Sequence, residues 1–137
     1  MRPHATLLTR RRLLACAVLL VAVPARASEL FIVGNGLGSM SAEDIKEVFL
    51  GEVQFAGSLR LLPVDNAGAQ ADFQARVLKI SATRYTASWT KKAFRDGLNA
   101  PALKGSDAEV ISFVKAHPGA IGYVSAAPAD VQVIARF

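Results

Sequence analysis

Cysteine is nearly missing from this chain: Cys16 is the only one, and it lies inside an N-terminal apolar run. Histidine is almost as scarce, with His4 and His117 alone. A segment without cysteine folds without disulfides and has no thiol nucleophile or thiolate metal site. One histidine beyond that run cannot build a Cys-His pair or an all-histidine zinc centre. No metal or cofactor is therefore expected, and catalysis is disfavoured. A long hydrophobic stretch is also lacking. Leu13–Val23 is apolar but shorter than the ~20 residues that span a bilayer as a helix.

The N-terminal 27 residues read as an export signal. Arg2, Arg10, Arg11 and Arg12 form a basic region ahead of the apolar run, and Ala25-Arg26-Ala27 supplies an A-x-A cleavage site. Cleavage after Ala27 places the product in the periplasm, with residues 28–137 as one domain. Thr9–Leu14 (TRRRLL) resembles a twin-arginine signal and equally fits an arginine-rich ordinary one. The segment also accounts for the chain's net charge of +5. Five basic residues and no acidic ones fall within residues 1–27, leaving 11 basic against 11 acidic residues beyond. A balanced product gives no electrostatic reason to bind nucleic acid or a membrane surface.

Residues 30–33 (LFIV) form a continuous apolar run, as in a strand buried on both faces. Ser41 is placed to cap a helix in which Ile45, Val48 and Phe49 share a face, closing at Gly51. Residues 59–64 (LRLLPV) predict a second strand, with Pro63 marking a sheet edge or strand terminus. A helix is expected from Gly68 to Leu78 with Phe73, Val77 and Ile80 inward. Another begins at Ser81 or Thr83, aligns Tyr85, Trp89 and Ala93, and stops at Gly97. Ser106 and Glu109 have the spacing of a capping box. Residues 120–124 and 131–134 predict two closing strands. The order is that of an α/β domain with a small mixed sheet of about four strands flanked by helices.

Three segments, DIKEVFLGEV (44–53), LLPVDNAGAQADF (61–73) and HPGAIGYVSAA (117–127), resemble phosphate ABC transporter substrate-binding proteins. The closer likeness is to short proteins of the periplasmic-binding-protein type that keep one lobe of that architecture. The resemblance implies a type II-like binding-protein fold and a non-catalytic exported solute-binding module with a small phosphate-like anion as ligand. It implies a membrane transporter or sensor as partner. Two-lobed relatives close over the ligand, so a second subunit, as in a homodimer, or another protein would supply the missing half.

The turn Asp65-Asn66-Ala67-Gly68-Ala69-Gln70 leads from a strand into a helix, where free N–H groups favour an anion. In the relatives this turn resembles R-x-D-G-S-G-T. Here Asp65 and Gly68 match, but Pro63, Ala67 and Ala69 replace the arginine, serine and threonine, and Asn66 replaces the first glycine. Losing two hydrogen bonds to a charged group costs about 3–6 kcal/mol, roughly a hundredfold to ten-thousandfold in affinity. The amides of Gly68, Ala69 and Gln70 would remain for weak or altered anion binding, with Ser39 and Asn35 as polar contacts from the loop at 34–39. A plain helix cap by Asp65 or Asn66 is the bland alternative, and a ligand-free interaction domain the functional one. Lys91, Lys92 and Arg95 read as a solvated helix face, and Tyr85, Trp89 and Phe94 as core. Tyr123 reads as a strand residue packed beneath the sheet edge.

Overall fold

The computed structural model describes residues 29–137. Strand β1 (Phe31–Gly34) is buried throughout, and β6 (Ala120–Val124) matches it along the same pattern. Between them come helix α1 (Ala42–Phe49), a hairpin of β2 (Phe55–Ala56) and β3 (Leu59–Arg60), and strand β4 (Leu62–Asn66). Helix α2 (Gln70–Phe73) runs into a π-helical turn (Gln74–Leu78), followed by α3 (Ala82–Asp96), β5 (Ala102–Lys104) and α4 (Asp107–Ala116). Strand β7 (Gln132–Arg136) follows β6.

The five-stranded sheet has the order β5-β4-β6-β1-β7. Strands β5, β4 and β6 run parallel, while β1 is antiparallel to both β6 and β7. The expected mixed α/β sheet is therefore present, with one strand more than the sequence predicts. That strand, β5, holds only three residues with two of them exposed, too short to show a period. The β2–β3 hairpin was also unforeseen: the single strand expected over 59–64 is divided, Leu59–Arg60 pairing with the exposed β2 while β4 starts at Leu62 and runs on to Asn66. Pro63 sits second in β4, beside β6, and pairing with β5 begins only at Val64. Its missing N–H thus falls where no ladder bond is needed on the β5 side.

Alternation along the strands divides the core into two layers. Leu30, Ile32, Ile121 and Tyr123 face α1, the α2–π segment and α3, where Phe49, Phe73, Leu78 and Trp89 lie. Phe31, Val33, Val64, Ala120 and Val124 face α4, which contributes Val110 and Val114. Both layers close within residues 29–137, enough core for a domain of this size to fold on its own.

The caps follow local chemistry. The Ser41 hydroxyl accepts from the Asp44 N–H at 3.1 Å, and Asp44 returns the bond to the Ser41 N–H. Gly97 ends α3 in the left-handed conformation, φ 68°. At α4 the Glu109 N–H donates to Ser106, but the Glu109 carboxylate receives the Gly105 N–H at 2.6 Å, one residue beyond the expected box. The uniform helix expected to Leu78 is replaced after Phe73 by the π turn, which buries Gln74, Val77 and Leu78 and leaves Ile80 half-buried. Ala93 and Phe94, expected inside, are exposed, because Tyr85, Trp89 and Lys92 define the inner face of α3.

Two glycines answer to close packing. At Gly122 a Cβ would stand 2.6 Å from Val110 Cγ1 and 3.1 Å from Val64 Cγ2, so α4 can reach the sheet only over a bare backbone. Gly119 adopts φ +86°, and a Cβ there would collide with the Arg60 carbonyl oxygen. Gly119→Ala should therefore lower unfolding free energy by at least about 2 kcal/mol. Chemical denaturation would read this as a lower midpoint at unchanged slope.

Candidate functional site

The sequence-marked turn sits at the carboxyl end of the parallel strands, where ligands bind in open α/β sheets. Asp65 and Asn66 end β4, Ala67–Ala69 turn the chain, and Gln70 opens α2. Tyr123 comes from the adjacent β6 and Tyr85 from α3.

Asp65 points inward and is almost fully buried. The Tyr85 hydroxyl donates to its Oδ2 at 2.6 Å and the Tyr123 hydroxyl to its Oδ1 at 2.9 Å, with Gln70 adding a side-chain bond. Burial pushes the Asp65 carboxyl above its usual range near 3.8, opposed by those three neutral donors. Burial and then the Asp65 charge push both tyrosine hydroxyls up, so they stay protonated and keep donating. Tyr123 also stacks on Phe73, with ring centroids 3.9 Å apart, so one side chain joins the aromatic core to the carboxylate. It lies in the middle of the sheet, not beneath an edge.

Asn66 is fully buried and engaged at both ends of its amide. Its Oδ1 accepts the Gly68 N–H at 3.0 Å, closing an Asx turn. Its Nδ2 donates to Asp107 Oδ1 at 2.7 Å and to the Tyr123 carbonyl at 3.0 Å. The Ala69 N–H donates to the Asn66 carbonyl at 3.0 Å, and the Ala67 N–H extends the ladder to the Lys104 carbonyl at 2.8 Å. Two of the three amides expected to face an anion, those of Gly68 and Ala69, are thus held within the chain. Asn66 takes the bland reading, as the group that shapes the turn.

Ser39 does not join this site. Strand β1 leaves the sheet at Gly34, opposite Ile121 near the start of β6, whereas the turn lies beyond the end of β4. Met40 next to Ser39 donates its N–H to Ile134 in β7, three strands from β4 and so about 14 Å across the sheet. Asn35 is likewise occupied elsewhere: its Nδ2 reaches the Val114 carbonyl at 2.8 Å, pinning the loop to the end of α4.

A second carboxylate, one given no role in the sequence analysis, completes the arrangement. Asp107 opens α4 and receives the Ser125 N–H at 3.1 Å, the Ser125 hydroxyl at 2.9 Å and the Ala126 N–H at 3.1 Å, besides the Asn66 amide. Partial burial alone would raise its pKa, but the bonds from Asn66, Ser125 and Ala126 together outweigh it and hold the carboxyl below its usual value. Four donors from two segments thus surround a carboxylate of the chain itself, where they could equally surround a bound anion. A cavity of about 350 Å³ lies beside the turn, with Asp65, Gln70, Tyr85, Thr86 and Thr90 in its wall. No metal-binding cluster of three or more His, Cys, Asp or Glu occurs among the described residues.

Comparison with solved structures finds this fold in phosphate-transport proteins. One match is a candidate phosphate ABC transporter substrate-binding protein from Clostridium perfringens with bound phosphate, at TM-score 0.58 and 14% identity, covering 78% of this chain and 45% of that one. Another is PstS from Borrelia burgdorferi, at TM-score 0.54 and 17% identity, covering 71% of this chain and 41% of that one. The chain spans less than half the length of either, as one lobe of a periplasmic-binding-protein fold does. No protein-family model and no curated protein matches the chain.

The two carboxylates should act on stability with opposite signs. Asp65 has a raised folded pKa, so its contribution falls as pH rises from about 3.8 through the folded value. Measured against Asp65→Asn, wild type should lose relative stability over that window. Asp65→Leu, which strands two buried hydroxyls, should cost about 2–5 kcal/mol. Asp107 has a lowered folded pKa, so its contribution holds above about 3.8 and disappears as pH falls through the folded value. Asp107→Ala should be less stable near neutrality, and its gap from wild type should narrow in acid. Denaturant titrations across the acid range check both signs.

Proposed function

We propose that the protein is an exported, non-catalytic module that uses one binding-protein lobe to make contacts at the cell envelope rather than to carry a tightly held solute. The observation carrying this reading is the closure of the strand-end turn by the chain's own groups. Gly68 and Ala69 donate to Asn66, and Asp107 fills the neighbouring cluster of donors. A phosphate arriving there would have to displace internal bonds and would meet two carboxylates. Lost side-chain donors at Pro63, Ala67 and Ala69 point the same way. Export rests on residues 1–27, which lie outside the described residues, and on the fold shared with substrate-binding proteins. The partner in this reading is a membrane transporter or sensor, or a second copy of the chain.

The cavity beside Asp65, Gln70 and Tyr85 favours a second reading, a low-affinity solute module. Its wall carries carboxylate, amide and hydroxyl groups. Such a site suits a polar solute that donates hydrogen bonds, or an anion that keeps a proton to give to Asp65, better than a fully ionised anion.

Titration calorimetry of the protein with phosphate and a panel of oxyanions, paired with light scattering, separates the two readings. The contact module should show no binding tighter than about millimolar, that is, no more than about 4 kcal/mol of affinity. Micromolar phosphate binding would overturn it and show that the backbone, or a second subunit, replaces the lost side chains.

A further inference from the structure

The outer face of α3 is not used by the strand-end site. Phe94 projects there with 95% of its surface exposed, against 58% for Leu103 and 54% for Phe55. Helical spacing places Ala87, Lys91 and Phe94 together on that face, with Arg84 and Arg95 along its flank, opposite buried Tyr85 and Trp89. On the flank of that face, not lined by Phe94 itself, runs a cleft of about 360 Å³ walled by Arg84, Lys91, Lys92 and Arg95 over Leu50 and Ile80.

The charge of this face is one-sided. Lys92 pairs with Glu52 at 3.0 Å and Arg95 with Asp96 at 3.1 Å, whereas Arg84 and Lys91 pair with no carboxylate among the described residues. Four cations therefore meet two acids here, although residues 28–137 balance as a whole. A single phenyl ring amid cations is too small an apolar patch to form the core of a protein interface, where charge is depleted. It does match the pattern of interfacial membrane helices, in which an aromatic ring enters the headgroup layer while basic side chains reach phosphate oxygens.

We propose that this face of α3 docks on an anionic phospholipid surface, with Phe94 entering the headgroup layer and Arg84, Lys91 and Arg95 receiving lipid phosphates at the cleft. The surface stands apart from the strand-end site, so it holds for either reading of that site. Docking would keep the lobe beside an envelope membrane without a spanning helix.

Co-sedimentation of the chain from Ser28 onward with vesicles tests the idea. Vesicles of phosphatidylcholine containing phosphatidylglycerol should bind the protein, pure phosphatidylcholine should not, and added salt should release it. Phe94→Ser should weaken binding about tenfold. Arg84→Gln with Lys91→Gln should weaken it roughly thirtyfold. All three side chains are exposed, so the melting temperature should stay at the wild-type value. Equal binding to both vesicle types, or binding insensitive to Phe94→Ser, would overturn the proposal. So would failure to bind vesicles alongside salt-sensitive binding to polyglutamate, which would assign the face to an acidic protein.

Discussion

A carboxylate buried without a cation organises this lobe. Asp65 takes hydrogen bonds from Tyr85 on α3 and Tyr123 on β6, so three elements distant in sequence meet at one pair of oxygens. An ionised carboxylate inside a protein is costly unless its oxygens are satisfied. Here neutral donors satisfy it, and the rings that carry those donors are themselves core. Tyr123 stacks on Phe73, which meets Phe49 edge-on with centroids 4.7 Å apart. Phe49 in turn lends its carbonyl to the Trp89 indole at 3.0 Å. Moving the carboxylate would thus disturb the aromatic layer under α1 and α3 together.

The same geometry lets groups of the chain itself occupy the strand end. The fold places strand ends, a turn and the start of α4 around one spot, and the backbone there must satisfy its donors somehow. With alanines at 67 and 69, the nearest acceptors are Asn66 and Asp107, both supplied by the chain.

Much of the fold was legible because its signals are local. The apolar runs of β1 and β6, the serine caps and the αL glycine at 97 each follow from short-range chemistry. Strand β5 and the β2–β3 hairpin were not, since two- and three-residue strands with exposed side chains carry no period. The π turn was equally hidden: Phe73 and Val77 suit an ordinary helix, and only the burial of Gln74 and Leu78 reveals the wider winding. At the site, the turn could be located but not its chemistry. Tyr85 and Tyr123 lie 20 and 58 residues from Asp65, and periodicity assigns them to the core, which is where their rings are. The one available hint was an aspartate following Val64 on a buried strand, a position that demands donors from elsewhere. Ser39 lies apart from the turn for a topological reason: strand direction, unreadable from β1 alone, makes its loop leave the sheet at the opposite end from the turn.

The fastening of Ser125 and Ala126 to Asp107 bears on how such a lobe could carry information. A loop that is free until a ligand orders it has two states, and a partner can sense which is present. A loop already fastened by three of its own donors to an internal carboxylate leaves less for a ligand to order. In the exported module proposed above, such a strand end would convey to a partner its presence and its amount more than a change of shape.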